Sequence, residues 1–191
     1  MVEQEIIDRV KRELSPSRWR HTQGVVETAT ILAERYSADV EASRVAAWIH
    51  DLAREWPLEK LQQYAEHVEI PSGFALIPDL LHGPIAAVLS RQWFGVNNAD
   101  VENAIRYHTT GREGMSQLEM VLCLADSIEP SRSYPGVERL RKLAQQDMVQ
   151  ALAEAIDATL QYLLARHEAI FPLTVMARND LWRQVNHRIV S

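Results

Sequence analysis

Apolar residues recur at three- and four-residue spacing along almost the whole chain, and this spacing is typical of amphipathic α-helices. In the first segment, Ile6, Val10 and Leu14 would lie on one face of a helix. A strand buried on one face needs apolar residues at every second position, and the sequence has no convincing run of that kind. We therefore predict an all-α fold.

Polar residues that cap helices occur at the points where the apolar pattern restarts. Ser15 followed by Pro16 predicts the start of a second helix, and Asp39 predicts the start of a third. Ser116 and Glu119 have the spacing of a capping box, in which each side chain accepts from the other residue's backbone N–H. These signals place helix starts within a few residues.

Proline and glycine mark the segments between helices. Residues 70–78 hold two prolines and a glycine and are predicted to form a loop, whereas the Gly-Pro step at 83–84 breaks or caps a helix. Two or three long helices are expected in the last third. We predict one domain over residues 1–191, with a metal-binding core at about 15–132 and a helical extension at about 136–190.

Composition limits the classes of partner. The 191 residues include 20 Lys and Arg against 26 Asp and Glu, a net charge of −6 that argues against a nucleic-acid backbone as the main partner. The one cysteine, Cys123, cannot form an intramolecular disulfide and favours a reducing compartment. No apolar run approaches the ~20 residues of a membrane span, and the first residues do not resemble a signal peptide. We expect a cytoplasmic protein with no membrane partner.

Four of the seven histidines, together with two aspartates, occupy positions where the helical pattern would place apolar residues. These six residues are His21, His50, Asp51, His82, His108 and Asp126. One such histidine alone would be an ordinary core residue bonded to a backbone carbonyl, and a buried carboxylate is costly unless it is paired or binds a metal. Six together are better explained as ligands of a transition metal such as Fe, Mn or Zn.

The adjacent pair His50-Asp51 follows an alanine-rich helix segment. Neighbouring residues on a helix point about 100° apart, so both side chains can reach cations only at the edge of the helix. Ala46 and Ala47, one turn earlier, are small enough to let another helix approach closely.

The order of these residues resembles that of the HD-domain metal-dependent phosphohydrolases, in which a histidine, an adjacent His-Asp pair and a distant aspartate bind metal. Two further histidines between the pair and the last aspartate mark HD proteins that resemble binuclear enzymes. Longer strings are similar to the YqeK family, described as bacterial symmetrical bis(5′-nucleosyl)-tetraphosphatases. These strings are RWRHTQGVVETA (18–29), AAWIHDLARE (46–55), LLHGPIAA (80–87), AIRYHTTGREGMSQLE (104–119), LADSIEPSR (124–132) and YPGVERLRKLA (134–144). Two departures are Arg54 in place of lysine and Ser127 in place of tyrosine.

The resemblance implies two divalent transition-metal ions that share one carboxylate. The first ion would be held by His21, His50, Asp51 and Asp126, and the second by Asp51, His82 and His108. Iron is the first choice for both, and manganese also fits the ligands. Two divalent cations, two carboxylates and a bridging hydroxide leave a net charge of about +1, which suits a polyphosphate anion.

The resemblance also implies which residues act on the substrate. The catalytic residues are Asp51, Arg54 and His82. The substrate-binding residues are Arg18, Arg54, His82, Thr109, Gly111 and Arg132. Each of the arginines has the alternative of being an ordinary solvated surface charge, and the glycine-bearing turn after His108 can offer backbone N–H groups to a phosphate.

The activity implied is hydrolysis of diadenosine tetraphosphate into two ADP by attack of metal-bound hydroxide on phosphorus, with ADP- or GDP-type products. The alternatives are another HD reaction, on a nucleoside mono- or triphosphate or a guanosine alarmone, and a nucleotide-sensing protein without useful turnover. The complete ligand set argues against the sensor. A homodimer is one possible assembly.

The remaining histidines and charges have simpler interpretations. His67, His167 and His187 stand in polar contexts and are predicted to be exposed, whereas Cys123, between two leucines, is predicted to be a small core residue. The charged run at 137–142 is interpreted as a solvated helix face.

Overall fold

The computed structural model describes residues 3–190, and in this range it contains α-helices and two short 3-10 turns but no strand. The helices are α1 (Glu3–Glu13), α2 (Pro16–Tyr36), α3 (Val40–Ile49), α4 (Leu58–Ala65), α5 (His82–Phe94), α6 (Ala99–Tyr107), α7 (Gln117–Ile128), α8 (Val137–Leu143), α9 (Met148–Ala165) and α10 (Pro172–Val190). The all-α prediction is confirmed. None of these helices combines the length and the apolar character that a bilayer span requires.

The predicted capping residues start the helices as expected. Ser15 accepts a hydrogen bond from the backbone N–H three residues further on at the start of α2, and Asp39 does the same for α3. Ser116 and Glu119 form both bonds of a capping box at the start of α7. Each bond satisfies a backbone donor that has no partner inside the helix.

The segment predicted as a loop at 70–78 is more ordered than the sequence indicates. It forms the 3-10 turns Phe74–Leu76 and Pro78–Leu80. The ring of Phe74 packs edge-on against that of Phe171, with centroids 4.8 Å apart. Phe171 comes from the connection between α9 and α10, so a distant aromatic contact orders this segment.

The Gly-Pro step at 83–84 lies in the first turn of α5 and therefore starts this helix. A Cβ atom on Gly83 would lie 2.9 Å from the backbone oxygen of Arg106. Only a glycine lets α5 approach α6 this closely, and the approach brings the first residue of α5 beside the last turn of α6.

Helix α7 is the centre of the core. Its residues Val121, Leu122, Leu124 and Ala125 are fully buried, so most of its circumference is apolar. It packs against α2, α3, α6, α8 and α9. One main hydrophobic cluster extends from α1 to α10, while the division into a metal-binding core and an extension remains a prediction.

The prediction of a solvated face at 137–142 is wrong for part of the run. Val137 and Leu140 are buried. Arg141 donates hydrogen bonds to the backbone oxygens of Ile128, Glu129 and Arg132, at 2.8, 2.6 and 2.8 Å. The side chain thereby holds the turn that follows α7.

Removing a core side chain from α7 should cost much of the protein's stability. We expect Leu122→Ala to lower the free energy of unfolding by about 2–5 kcal/mol, because the cavity it leaves cannot collapse fully. Urea denaturation followed by circular dichroism measures this change. The matched variant Leu164→Ala, at a residue that is 62% exposed, should change it by less than about 0.5 kcal/mol. Equal costs for the two variants would contradict the central position of α7.

Candidate metal centre

The six predicted ligands meet where several helix ends converge. His21 and Asp126 lie inside α2 and α7, His50 and His108 cap the C-termini of α3 and α6, Asp51 follows His50, and His82 starts α5. All but Asp126 are buried. The structure therefore brings together side chains that are up to 105 positions apart in the sequence.

Asp51 lies at the middle of the group, and its two oxygens face different histidines. Oδ2 lies 3.6 Å from Nε2 of His21 and 3.4 Å from Nε2 of His50. Oδ1 lies 3.3 Å from Nε2 of His82 and 3.6 Å from Nε2 of His108. The residues form two overlapping groups of three potential ligands that share Asp51, with donor atoms within 4.8 Å of one another in each group.

Asp126 belongs to the side of the centre that contains His21. Its Oδ1 lies 3.1 Å from Nε2 of His21. The second carboxylate therefore places a further potential oxygen ligand beside the group formed by His21, His50 and Asp51.

In each histidine of the centre, Nδ1 is the outer ring nitrogen, which faces away from Asp51, and Nε2 is the inner one. The hydrogen bond at Nδ1 determines whether Nε2 has a lone pair to present to the centre. Nδ1 of His50, His82 and His108 lies 2.7, 2.6 and 2.8 Å from the backbone oxygen three residues earlier in each case. A carbonyl oxygen can only accept, so Nδ1 carries the proton and Nε2 presents a lone pair. All three lone pairs therefore point toward Asp51.

The inner nitrogens fit a bound cation. Nε2 of His21 and of His50 is buried and has no hydrogen-bond partner within the described part of the chain. Nε2 of His82 and Nε2 of His108 lie 3.0 Å apart, and two lone pairs at this distance repel unless a positive charge lies beside them. Imidazole nitrogens and carboxylate oxygens are a ligand set for divalent transition metals. The geometry thus fits a divalent metal site.

The pKa shifts favour the protonation states that metal ligands need. Burial is the main effect that lowers the pKa of His82, to about 4, so its imidazole is neutral near pH 7. Burial acts to raise the pKa of Asp51, but the neighbouring imidazoles, His50 first, hold it well below its usual range. The pKa of Asp126 is likewise low, because its close contact with His21 and the charge of Arg132 outweigh burial. Ionised carboxylates and neutral imidazoles bind metal without releasing protons.

The three predicted arginines all reach the centre. Arg18 donates to Oδ2 of Asp51 at 3.0 Å, and Arg132 donates to Oδ1 of Asp126 at 2.6 Å. Arg54 contacts the outer side of the centre, where it donates to the same Asp79 carbonyl as His82 Nδ1 and lies 3.2 Å from that nitrogen. None of the three is a simple solvated charge.

The two predicted residues after His108 differ in their environments. The exposed Thr109 places its hydroxyl 3.1 Å from Nε2 of His108 and 3.4 Å from Nε2 of His82. Gly111 is buried, and its N–H donates to the backbone oxygen of Tyr107 at 2.7 Å. Phosphate binding by Gly111 would require this hydrogen bond to break, and its role remains a prediction.

Glu129, which was not predicted as a site residue, is 1% exposed, and its Oε1 lies 2.9 Å from Nδ1 of His21. Burial lowers the pKa of His21, but the close contact and negative charge of Asp126 and the hydrogen bond to Glu129 outweigh it, so the net pKa is raised. The available signal was an acidic residue on the same helix face as Asp126, three positions later and directly before Pro130.

An open cleft of about 440 Å³ borders the His21 side of the centre. It is lined by Ser17, Arg18, His21, Glu129, Ser131, Arg132, Ser133 and Tyr134. The hydroxyl of Tyr134 donates to the backbone oxygen of Ser127 at 2.8 Å. An aromatic side chain therefore reaches this end of α7 from the turn that follows it, although position 127 is a serine.

The residues interpreted as bystanders lie where the sequence predicted. His67, His167 and His187 are exposed. Cys123 is buried, its thiol donates to the backbone oxygen of His108 at 3.2 Å, and burial raises its thiol pKa. A neutral buried thiol of this kind is a packing residue and not a nucleophile.

Comparisons with known proteins agree with this centre. A sequence model of the HD domain matches residues 18–131. The chain is 41% identical over 182 residues to the symmetrical bis(5′-nucleosyl)-tetraphosphatase of Bacillus subtilis strain 168, covering 95% of this chain and 98% of the relative. It is 38% identical over 173 residues to the protein of the same name from Halalkalibacterium halodurans, covering 90% and 92%.

A solved structure agrees over the whole fold. The crystal structure of a "predicted HD superfamily hydrolase involved in NAD metabolism" from Clostridium acetobutylicum has a TM-score of 0.90 and 35% identity to this chain. The superposition covers 96% of this chain and 98% of the Clostridium acetobutylicum chain. An all-helical fold with a buried His/Asp centre for a divalent metal defines the class. The chain belongs to the HD-domain family and, within it, to the family of the symmetrical bis(5′-nucleosyl)-tetraphosphatases.

Replacing the shared carboxylate should remove metal from both groups of ligands. We expect Asp51→Ala to lose nearly all bound divalent metal, because each of its oxygens faces a different pair of histidines. Elemental analysis of the purified chains gives the metal content per chain. The matched variant His67→Ala, at an exposed histidine, should keep the wild-type content. Wild-type metal content in Asp51→Ala would contradict the position of the centre.

Proposed function

We propose that this chain hydrolyses diadenosine tetraphosphate symmetrically into two ADP. The observation that carries the proposal is the pair of overlapping ligand groups that share Asp51. Its support from relatives is the name shared by the proteins from B. subtilis and H. halodurans, which this chain matches over nearly its full length.

The proposal includes two divalent ions in each chain. His21, His50, Asp51 and Asp126 would hold the first, and Asp51, His82 and His108 would hold the second. Iron is proposed for both, with manganese as the alternative that the same ligands accept. Bound divalent cations lower the pKa of coordinated water and neutralise charge on the attacking and leaving oxygens.

Arg18 and Arg132 are proposed to bind the phosphates of the ADP half that stays in the cleft. Both guanidinium groups border the carboxylates of the centre and line the adjacent cleft. A guanidinium at this position can donate to a phosphate oxygen and stabilise charge that develops during phosphoryl transfer. Tyr134, which also lines this cleft, is proposed to contact the nucleoside.

Arg54 and His82 are proposed to act together on the opposite side of the centre. Burial keeps His82 neutral, since its pKa is about 4, and Arg54 donates to the carbonyl that also accepts from His82. The guanidinium would therefore hold the ring in place and bring a positive charge near a phosphate. The hydroxyl of Thr109, close to His82 and His108, would donate to a phosphate oxygen on the same side.

The products identify the bond that breaks. If one ADP half lies in the cleft and ends at the ligand groups, water attacks its second phosphorus and the other half leaves as ADP. We expect two ADP per substrate and, in ¹⁸O-labelled water, one labelled oxygen in one of them, as measured by mass spectrometry. Equal amounts of ATP and AMP would contradict this position of the substrate.

Two further outcomes would favour the alternatives. Turnover of a nucleoside mono- or triphosphate or of a guanosine alarmone, without cleavage of the dinucleotide, would favour another HD reaction. Tight binding of ADP without steady-state turnover of any of these nucleotides would favour a sensor.

The role of Arg18 can be separated from that of a nearby surface charge. We expect Arg18→Ala to lower kcat/KM for diadenosine tetraphosphate by about 10- to 100-fold, the effect of losing one charge-assisted hydrogen bond. The matched variant Arg20→Ala removes an exposed arginine two positions away on α2 and should stay near wild type. Equal losses in the two variants, measured by steady-state kinetics, would show that Arg18 acts only through overall charge.

A further inference from the structure

His21 differs from the other three histidines of the centre in how its outer nitrogen is bonded. His50, His82 and His108 stand at helix ends, and each has Nδ1 close to the backbone oxygen three residues earlier. His21 lies inside α2, where the carbonyls of the preceding turn already accept from the helix backbone. Nδ1 of His21 is bonded instead by a side chain, that of Glu129, at 2.9 Å.

The carboxylate of Glu129 is held by more than this one contact. Its Oε2 accepts from the backbone N–H of Ser131 at 2.7 Å, and its Oε1 accepts from the Ser131 hydroxyl as well as facing His21. Arg141 donates to the backbone oxygen of Glu129. The side chain is 1% exposed, so its position is determined by protein contacts and not by solvent.

Helix α2 has a glycine, Gly24, at the point where the Glu129 carboxylate lies against it. Gly24 lies one turn after His21, and a Cβ atom there would be 2.6 Å from Oε2 of Glu129 and 3.2 Å from Pro130. Real Cβ contacts are essentially never this short. A glycine at position 24 is thus what allows α2 to lie against the end of α7 with the carboxylate between them.

We propose that Glu129 is a positioning residue, which fixes the Nδ1–H tautomer and the ring orientation of His21 so that its Nε2 lone pair faces Asp51 and Asp126. An ionised carboxylate only accepts hydrogen bonds, so the nitrogen that faces it carries the proton. Partners of this kind raise the basicity of a metal-bound histidine and fix its orientation. The inference rests on the proposed role of His21 as a metal ligand, and it adds a residue that acts through the His21 ring and does not itself bind the metal.

The substitution Glu129→Gln tests this role because a glutamine cannot satisfy both neighbours. The backbone N–H of Ser131 can only donate, so it selects the amide oxygen of the new side chain. The amide NH₂ then faces Nδ1 of His21 and favours the tautomer in which Nε2 carries the proton. That tautomer has no lone pair for a metal.

The measurement is the equilibrium affinity of the full chain for Mn²⁺ alone, by titration with electron paramagnetic resonance detection of free Mn²⁺. We expect Glu129→Gln to bind Mn²⁺ about 10- to 100-fold more weakly at the His21 side of the centre. High Mn²⁺ should restore kcat, because saturating metal compensates for the weaker site. Wild-type Mn²⁺ affinity in the folded variant would overturn the proposal.

The matched control is Glu119→Gln. Glu119 is also 1% exposed, lies in the first turn of α7, the helix that Glu129 directly follows, and is paired with Arg112 at 2.7 and 2.9 Å. Its loss should lower the melting temperature while Mn²⁺ affinity stays within about twofold of wild type, since distant sites act independently. An equal loss of Mn²⁺ affinity in both variants would show a general effect of buried charge and would overturn a specific role for Glu129.

A second variant decides the question if Glu129→Gln does not fold. Gly24→Ala keeps the carboxylate but pushes it away from its position, while alanine favours the helix more than glycine does. We expect weaker Mn²⁺ binding with full helix content, and wild-type affinity would overturn the proposal. Because these titrations contain no nucleotide, a wild-type chain that binds Mn²⁺ but leaves diadenosine tetraphosphate intact would contradict the proposed function alone.

Discussion

The burial of the Asp51 carboxylate is the constraint on which the centre depends. A lone carboxylate that is 3% exposed would be strongly destabilising, because burial removes it from water without replacing the lost hydration. Four imidazoles and Arg18 surround it. Against the effect of burial, His50, His108 and His82 keep its pKa low. The helices that carry those imidazoles must therefore meet at one place, and their packing around α7 follows from this requirement together with the apolar burial of α7 itself.

Helix ends orient most of the histidine rings without breaking any hydrogen bond of the helix backbone. At a helix terminus the backbone carbonyls lack partners within the helix, so His50 and His108 can use them to fix their rings at the C-termini of α3 and α6. The negative end of the helix dipole also faces the centre at these two termini and favours a cation there. His82 reaches the same place from the start of α5 because Gly83 permits the close approach to α6.

Local chemistry explains which parts of the structure could be predicted from the sequence. Caps such as Ser15 and Asp39 act within three residues, and the six side chains that meet at the centre stand out as polar residues on apolar faces, so the sequence could indicate both. Glu129 and His21 are 108 residues apart, and no periodic pattern links them. Arg141 was misread for the same reason, since its carbonyl partners lie on another segment, and the 3-10 turns near Phe74 depend on a distant aromatic contact.

The two arginines beside the carboxylates explain how an acidic centre can bind a phosphate anion. Arg18 and Arg132 each pair with a carboxylate of the centre, and each also lines the adjacent cleft. A guanidinium has five N–H donors in a fixed fork, so it can retain one carboxylate bond while donating to a phosphate. Added positive charge weakens the hold of a carboxylate on its arginine, and this frees donors for an anion. A polyphosphate is therefore bound best when cations and arginines act together. This combination of positive charges is expected for a phosphohydrolase of this family.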